Sequence, residues 1–202
     1  MGREIRRVPP NWEHPTSDCR HSPWKGGCGE AILRGDGRCS HPLYDRDVET
    51  AFTEWLAEFE DWKSRGMAEA NSKYGEKYSA DEPYRGFCEW NGSPPSVEYY
   101  RPRWTEEPSW YQLYETVSEG TPVSPPFETQ EELAQYLAEN GDYWYQRDIQ
   151  EGKFDTFRSK PTIEQARSLV GTGWAPSLIM VHNANGQNTM LDAYQQQEIK
   201  NP

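Results

Sequence analysis

Apolar residues recur along the chain in two rhythms. Val48, Phe52, Trp55, Phe59 and Trp62 fall alternately four and three residues apart, the stripe of a 3.6-residue period. This spacing predicts a helix over 47–65, with Asp47 as N-cap and Gly66 as its stop. Thr129-Gln130-Glu131-Glu132 has the pattern of a capping box and opens a second helix, with Leu133, Tyr136 and Leu137 inward and Asn140-Gly141 closing it. Thr162 and Gln165 repeat the device for a third, with Ala166, Leu169 and Val170 inward and Gly171 as the stop. Alternation over Tyr111–Val117 predicts a strand, ended by Ser118-Glu119-Gly120-Thr121-Pro122, and the apolar run Trp174–Val181 predicts a buried one.

The remaining stretches lack a period. Arg3–Pro15 is Pro-rich and is expected to be irregular. Residues 66–110 are aromatic and Pro-rich, with Trp90, Trp104 and Trp110 expected to anchor irregular structure over the core. From Asn183 the chain is polar and Gln-rich. Helices and strands interleave without a βαβ rhythm, so the expected class is α+β. About three helices, a small mixed or antiparallel sheet and an aromatic-rich core are expected, with an N-terminal Cys/His-rich hairpin module. The corresponding parts are 1–46, a main acidic domain over 47–182, and a loose polar tail over 183–202.

Composition adds two constraints. Hydrophobic residues are 34% of the 202, while aromatics reach 13% with nine tryptophans, so large rings supply the buried area that aliphatics lack. The net charge is -12, from 21 basic and 33 acidic residues. That balance argues against direct nucleic-acid binding, which needs clustered cations, and would suit a basic protein partner or simple solubility. Residues 1–46 hold 8 basic and 6 acidic side chains, leaving 13 and 27 for the rest. No apolar run approaches the ~20 residues of a membrane span, and Met1–Pro10 has no apolar segment of the signal-peptide kind.

The densest chemistry lies in His14, Cys19, His21, Cys28, Cys39 and His41. Gly35-Asp36-Gly37 suggests a short hairpin with Cys28 and Cys39 at its open ends. Thiolates and imidazole converging from a turn suit tetrahedral zinc. The expected structural site is Cys19, Cys28 and Cys39 with His21, or with His41 or His14 in its place; free thiols and surface histidines are the alternative. Zinc is the only cofactor expected. No catalytic residues are assigned, because HExxH, Walker A, GxGxxG and GxSxG are all missing. Tyr114, Thr116, Ser118, Thr121, Trp174 and Ser177 are candidates for lining a small-molecule pocket, with turn chemistry as the plainer explanation of the Thr-Pro and Ser-Pro pairs.

Several strings resemble one family: Arg6–Pro15, Pro42-Leu43-Tyr44-Asp45, Pro94-Pro95 through Tyr99-Tyr100-Arg101-Pro102, Tyr114–Pro125, and Gly173-Trp174-Ala175-Pro176-Ser177. Together they are similar to a widespread group of small, uncharacterised bacteriophage and prophage proteins. The resemblance implies a phage gene acting in the host bacterial cytoplasm and transfers no mechanism. The Cys-rich stretch between Pro15 and Pro42 looks like an elaboration of a shorter linker in that group. The leading expectation is an accessory protein that binds a host protein, such as a basic nucleic-acid-binding or defence factor, through the acidic Asp47–Asp61 face. A small-molecule binder or enzyme with an aromatic pocket, and a minor virion component, are the alternatives.

Overall fold

The structure, a computed structural model, describes residues 2–18, 38–116, 120–153, 159–182 and 188–192. It is a mixed α+β protein whose chain divides into two compact units, 1–42 with 104–202, and 43–103. This division differs from the one expected at 46/47 and 182/183. The N-terminal stretch does not stand apart from the main domain, because it contributes a central strand.

The first unit is built on a four-stranded antiparallel sheet of β1 (Gly2–Val8), β6 (Trp110–Glu115), β7 (Thr121–Pro122) and β8 (Trp174–Pro176), in the order β7-β6-β1-β8. β1 pairs with β6 from Arg3↔Glu115 to Val8↔Trp110, and with β8 at Gly2↔Pro176 to Glu4↔Trp174. Alternate residues therefore divide between two faces. Arg3, Ile5, Leu113, Glu115 and Thr121 share one; Glu4, Arg6, Gln112, Tyr114 and Trp174 share the other. The first face carries the core, in which Leu113 and Val123 meet Leu133 and Leu137 of α4 (Gln130–Asn140) and Leu169 and Val170 of α6 (Ile163–Thr172). Both predicted capping boxes are formed, at Thr129/Glu132 and Thr162/Gln165. Arg167 also grips Glu131 through Nε (3.0 Å) and Nη2 (2.6 Å), tying α6 to α4.

Three elements of this unit depart from expectation. Arg3–Pro15 was expected to be irregular, yet β1 runs through it. Trp174–Val181 is two strands, since β9 (Leu178–His182) leaves the main sheet to pair with β10 (Asn188–Asp192). β10 gives ordered structure to part of the polar tail. A further helix, α5 (Tyr143–Gln150), starts at Asp142, whose carboxylate accepts from the Tyr145 N–H. A separate ladder pairs β2 (Thr16–Asp18) with β3 (Arg38–Ser40).

The unit 43–103 is described throughout. A short parallel pair, β4 (Tyr44–Asp47) with β5 (Tyr100–Arg101), brings its ends together. Asp47 caps α1 (Val48–Asp61) as predicted, accepting from the Thr50 N–H at 2.9 Å. The helix does not stop at Gly66. It passes through a π-helical turn (Trp62–Gly66) into α2 (Met67–Tyr74) and ends only at Gly75, where φ is 86°. The Met67 N–H bonds to the Trp62 carbonyl, five residues back. That extra residue absorbs the break in the apolar stripe, which resumes as Met67, Ala70 and Tyr74. α3 (Pro83–Asn91), starting on a proline, completes the unit.

The six α-helices among the described residues exceed the three expected. Trp55, Trp62, Ala70 and Phe87 form the second core. Its ring contacts include Trp55–Phe87 at 5.0 Å and Trp62–Tyr78 at 5.0 Å. Among the described residues no helix is long and apolar enough to cross a membrane.

Arg3 is 2% exposed, and its Nη2 lies 2.8 Å from Asp142 Oδ2. Its Nε is 3.9 Å from Glu115. Removing one charge of a buried pair strands the other in low dielectric. Arg3→Met and Asp142→Leu are each expected to cost about 3–5 kcal/mol. The double variant should recover part of that loss, as read by urea unfolding, because the α5 cap and the Arg3 contact with Glu115 stay lost.

Candidate functional site

The sequence-predicted binding residues fall on both faces of the main sheet. Tyr114, Glu4 and Trp174 are cross-strand neighbours in one row. Thr121 lies opposite Glu115 on the other face, and the Ser177 hydroxyl bonds to Glu115. Thr116 donates its hydroxyl to the Gly2 carbonyl at 2.9 Å. Ser118 lies outside the described residues. Thr116 thus holds the start of β1 in the sheet.

Around Tyr114 the polar face is tightly organised. The Arg6 guanidinium sits 4.4 Å from the Tyr114 ring centroid, and its Nε bonds to Glu4. Gly120, at φ 126°, permits this approach, since a Cβ there would lie 2.0 Å from Arg6 Nη2. Gln112 Nε2 donates to the Ser124 carbonyl at 2.8 Å, which turns its Oε1 toward the Tyr114 hydroxyl at 3.0 Å. His14 approaches the same hydroxyl with Nδ1 at 3.1 Å, and its Nε2 lies 2.6 Å from the His41 carbonyl. A carbonyl only accepts, so Nε2 carries the proton. Gln112 Oε1 and an unprotonated Nδ1 then share one tyrosyl proton.

Of the expected metal ligands, Cys19, His21 and Cys28 lie outside the described residues. Cys39 is buried in β3. His14 already has both ring nitrogens in contact with protein atoms, which leaves it the least suited of the three histidines. Among the described residues no group of three or more His, Cys, Asp or Glu side chains is placed to hold a metal.

A concavity lies in the unit 43–103, a groove of about 660 Å³ between α1, the π-helical turn, α2 and α3. Trp62, Phe87, Ala70 and Gly66 line it as buried or small residues, and Tyr74 and Trp90 as exposed rings, 57% and 49% accessible. Glu58, Asp61 and Glu69 stand on its rim against Lys73. Arg65 pairs with Asp61 at 2.5 Å, and Asn91 donates to Glu58 at 2.7 Å. Trp62 is 3% exposed and stacks on Trp90 at 5.8 Å, while its indole N–H meets no acceptor among the described residues. Sequence reading placed Trp90 as an anchor and the acids as a face, but missed Gly66, Glu69 and Tyr74. The signal was the five-residue step from Trp62 to Met67, after which the apolar spacing resumes.

Compared with known proteins, the chain matches no family model, no curated protein and no solved structure.

Burial lowers the pKa of His14 to about 4, with the nearby Arg6 and His41 charges adding to the effect and the His41 carbonyl opposing it. The unfolded chain takes up this proton near pH 6.5 and the folded one only near 4. Stability should therefore fall as pH drops through that window, by up to about 3 kcal/mol, and level off below it. Chemical denaturation at pH 7 and pH 4 should show His14→Gln losing this component of the slope.

Proposed function

We propose that this is an accessory phage protein that acts in the host bacterial cytoplasm by binding a basic host protein through the helical unit 43–103. The partner is of the nucleic-acid-binding kind, including defence factors, and occupation of its basic groove would inhibit it. The observation that carries this reading is the acid-rimmed aromatic groove beside the carboxylates of α1. The unit holds 13 acidic and 8 basic side chains. Aromatic walls supply desolvated contact area, and the surrounding carboxylates steer a cationic partner.

Affinity capture from host lysate tests it. A basic protein should be retained at about 0.05 M salt and released at about 0.5 M, where screening is strong. Replacing Glu54, Glu58 and Glu60 by glutamine should weaken capture several-fold. Capture of nothing, or capture indifferent to both salt and charge, overturns the reading.

The groove's volume favours a second reading, since it falls within the roughly 300–1,000 Å³ of small-molecule sites. A thermal-shift screen of nucleotides and metabolites separates the two, because stabilisation by one of them at the groove would replace the protein-partner reading.

We also propose that the N-terminal module binds structural zinc through Cys19, Cys28 and Cys39 with His21. The support is the β2–β3 ladder: Asp18 and Arg38 are register partners, so the stretch bearing Cys19, His21 and Cys28 is closed at its base beside Cys39. Elemental analysis of purified protein should give about one zinc per chain. A content well below that overturns the assignment.

A further inference from the structure

Gly66 breaks a local rule without a structural return. It sits inside one continuous helical run, where glycine costs about 1 kcal/mol relative to alanine. Its backbone does not require it, since φ is -61° and ψ is -37°, ordinary right-handed values. Packing does not require it either. A Cβ at 66 would meet the Trp62 ring at 3.4 Å and the Asp61 carbonyl at 3.8 Å, both ordinary contacts. The same five residues adopt the rarer π-helical form, which recurs at functional sites. Places where a chain accepts such local costs are where function is sought. Here the lost side chain would stand in the groove, over the Trp62 ring.

We infer that Gly66 keeps the groove open for a basic amphipathic helix of the partner protein. An apolar anchor of that helix packs over the Trp62 ring beside the touching Tyr74 and Trp90 rings, whose centroids are 5.7 Å apart, and its lysines or arginines face Glu58 and Glu69. This assignment rests on the proposed binding of a basic partner by the same unit and specifies how that partner is held. Charge complementarity selects the occupant: the groove lining sets three carboxylates, Glu58, Asp61 and Glu69, against Lys73, with Arg65 paired to Asp61, and α1 carries no basic residue between Asp47 and Asp61. An apolar floor under an acidic rim is the complement of a helix with one apolar face and basic flanks.

The test uses the full chain and a fluorescent amphipathic lysine–leucine peptide with one tryptophan, alongside its glutamate–leucine counterpart and polylysine. The lysine–leucine peptide should bind more tightly than polylysine, and the glutamate–leucine peptide should not bind. Gly66→Leu, which suits the helical backbone and fills the groove, should weaken peptide binding about tenfold or more with no loss of thermal stability. Tyr74→Ala, at an exposed wall, should weaken it in the same direction and guards against a misfolded Gly66→Leu.

Unchanged binding by both variants, or equal binding of peptide and polylysine, overturns the groove assignment. If glutamine at Glu54, Glu58 and Glu60 still weakens binding in that case, the acidic-face reading survives without it. Saturation of the groove by a small aromatic amine in preference to the peptide would assign it to a small molecule. Self-association abolished by Gly66→Leu would assign it to a second copy. Either result overturns the helix proposal.

Discussion

The first unit depends on β1 lying between β6 and β8, because among the described residues no other strand links them. Its sequence, Gly2-Arg3-Glu4-Ile5-Arg6-Arg7-Val8, supplies few apolar groups for a central strand. Ion pairs and short polar contacts make up the deficit. Arg3 enters the core face only because Asp142 and Glu115 meet its charge. Asp142 in turn caps α5, so one carboxylate holds both a strand and the start of a helix. A buried pair of this kind gives little net stability against an apolar replacement, but it penalises wrong registers heavily. Shifting β1 by one residue would put Ile5 on the polar face and bury Glu4 and Arg6 in the core. Register is set by charge as much as by apolar burial.

That constraint explains what could be read from the sequence. The helices at 130–140 and 163–172 were legible because capping residues and apolar spacing agree at Thr129/Glu132 and Thr162/Gln165. β6 was legible because Leu113 and its neighbours alternate. β1 was not, because its three arginines and a glutamate look solvated until Glu115 and Asp142, the partners of Arg3 more than a hundred residues away, are known. The long helix was half legible. Its stripe from Val48 to Trp62 is regular, but the π-helical turn shifts the phase by one residue just where Gly66 suggests an ending. The stripe resumes one residue out of phase, at Met67 and Ala70, which pack with Phe87 in the second core.

The proposed pocket lining and the groove differ in the same way. Tyr114, Thr116, Thr121, Trp174 and Ser177 are close in sequence pattern but alternate across a sheet, so half face away from the others. Local hydroxyl density could not reveal that Thr116 bonds to the Gly2 backbone or that Ser177 bonds to Glu115. The groove draws on Glu58, Trp62, Gly66, Tyr74 and Trp90. These converge because one helical run and α3 pack on a shared aromatic cluster. The acids, Trp62 and Trp90 carried a signal in advance, through charge, helical spacing and size in turn.

The two units also handle charge by different means. In the sheet unit, Arg3, Asp142 and Arg6 are drawn inward and paired, Arg6 with the half-buried Glu4. In the helical unit, carboxylates remain at the surface, and their partners at Arg46, Lys63 and Arg65 are exposed side chains. Exposed pairs of that kind contribute little to stability, typically ~0–1 kcal/mol each, and are readily exchanged for other cations. A stable fold gains little from Glu58, Asp61 and Glu69 beside an aromatic groove whose floor lacks a side chain at residue 66. Under the proposed binding role, those weak surface pairs are the ones a cationic partner would replace.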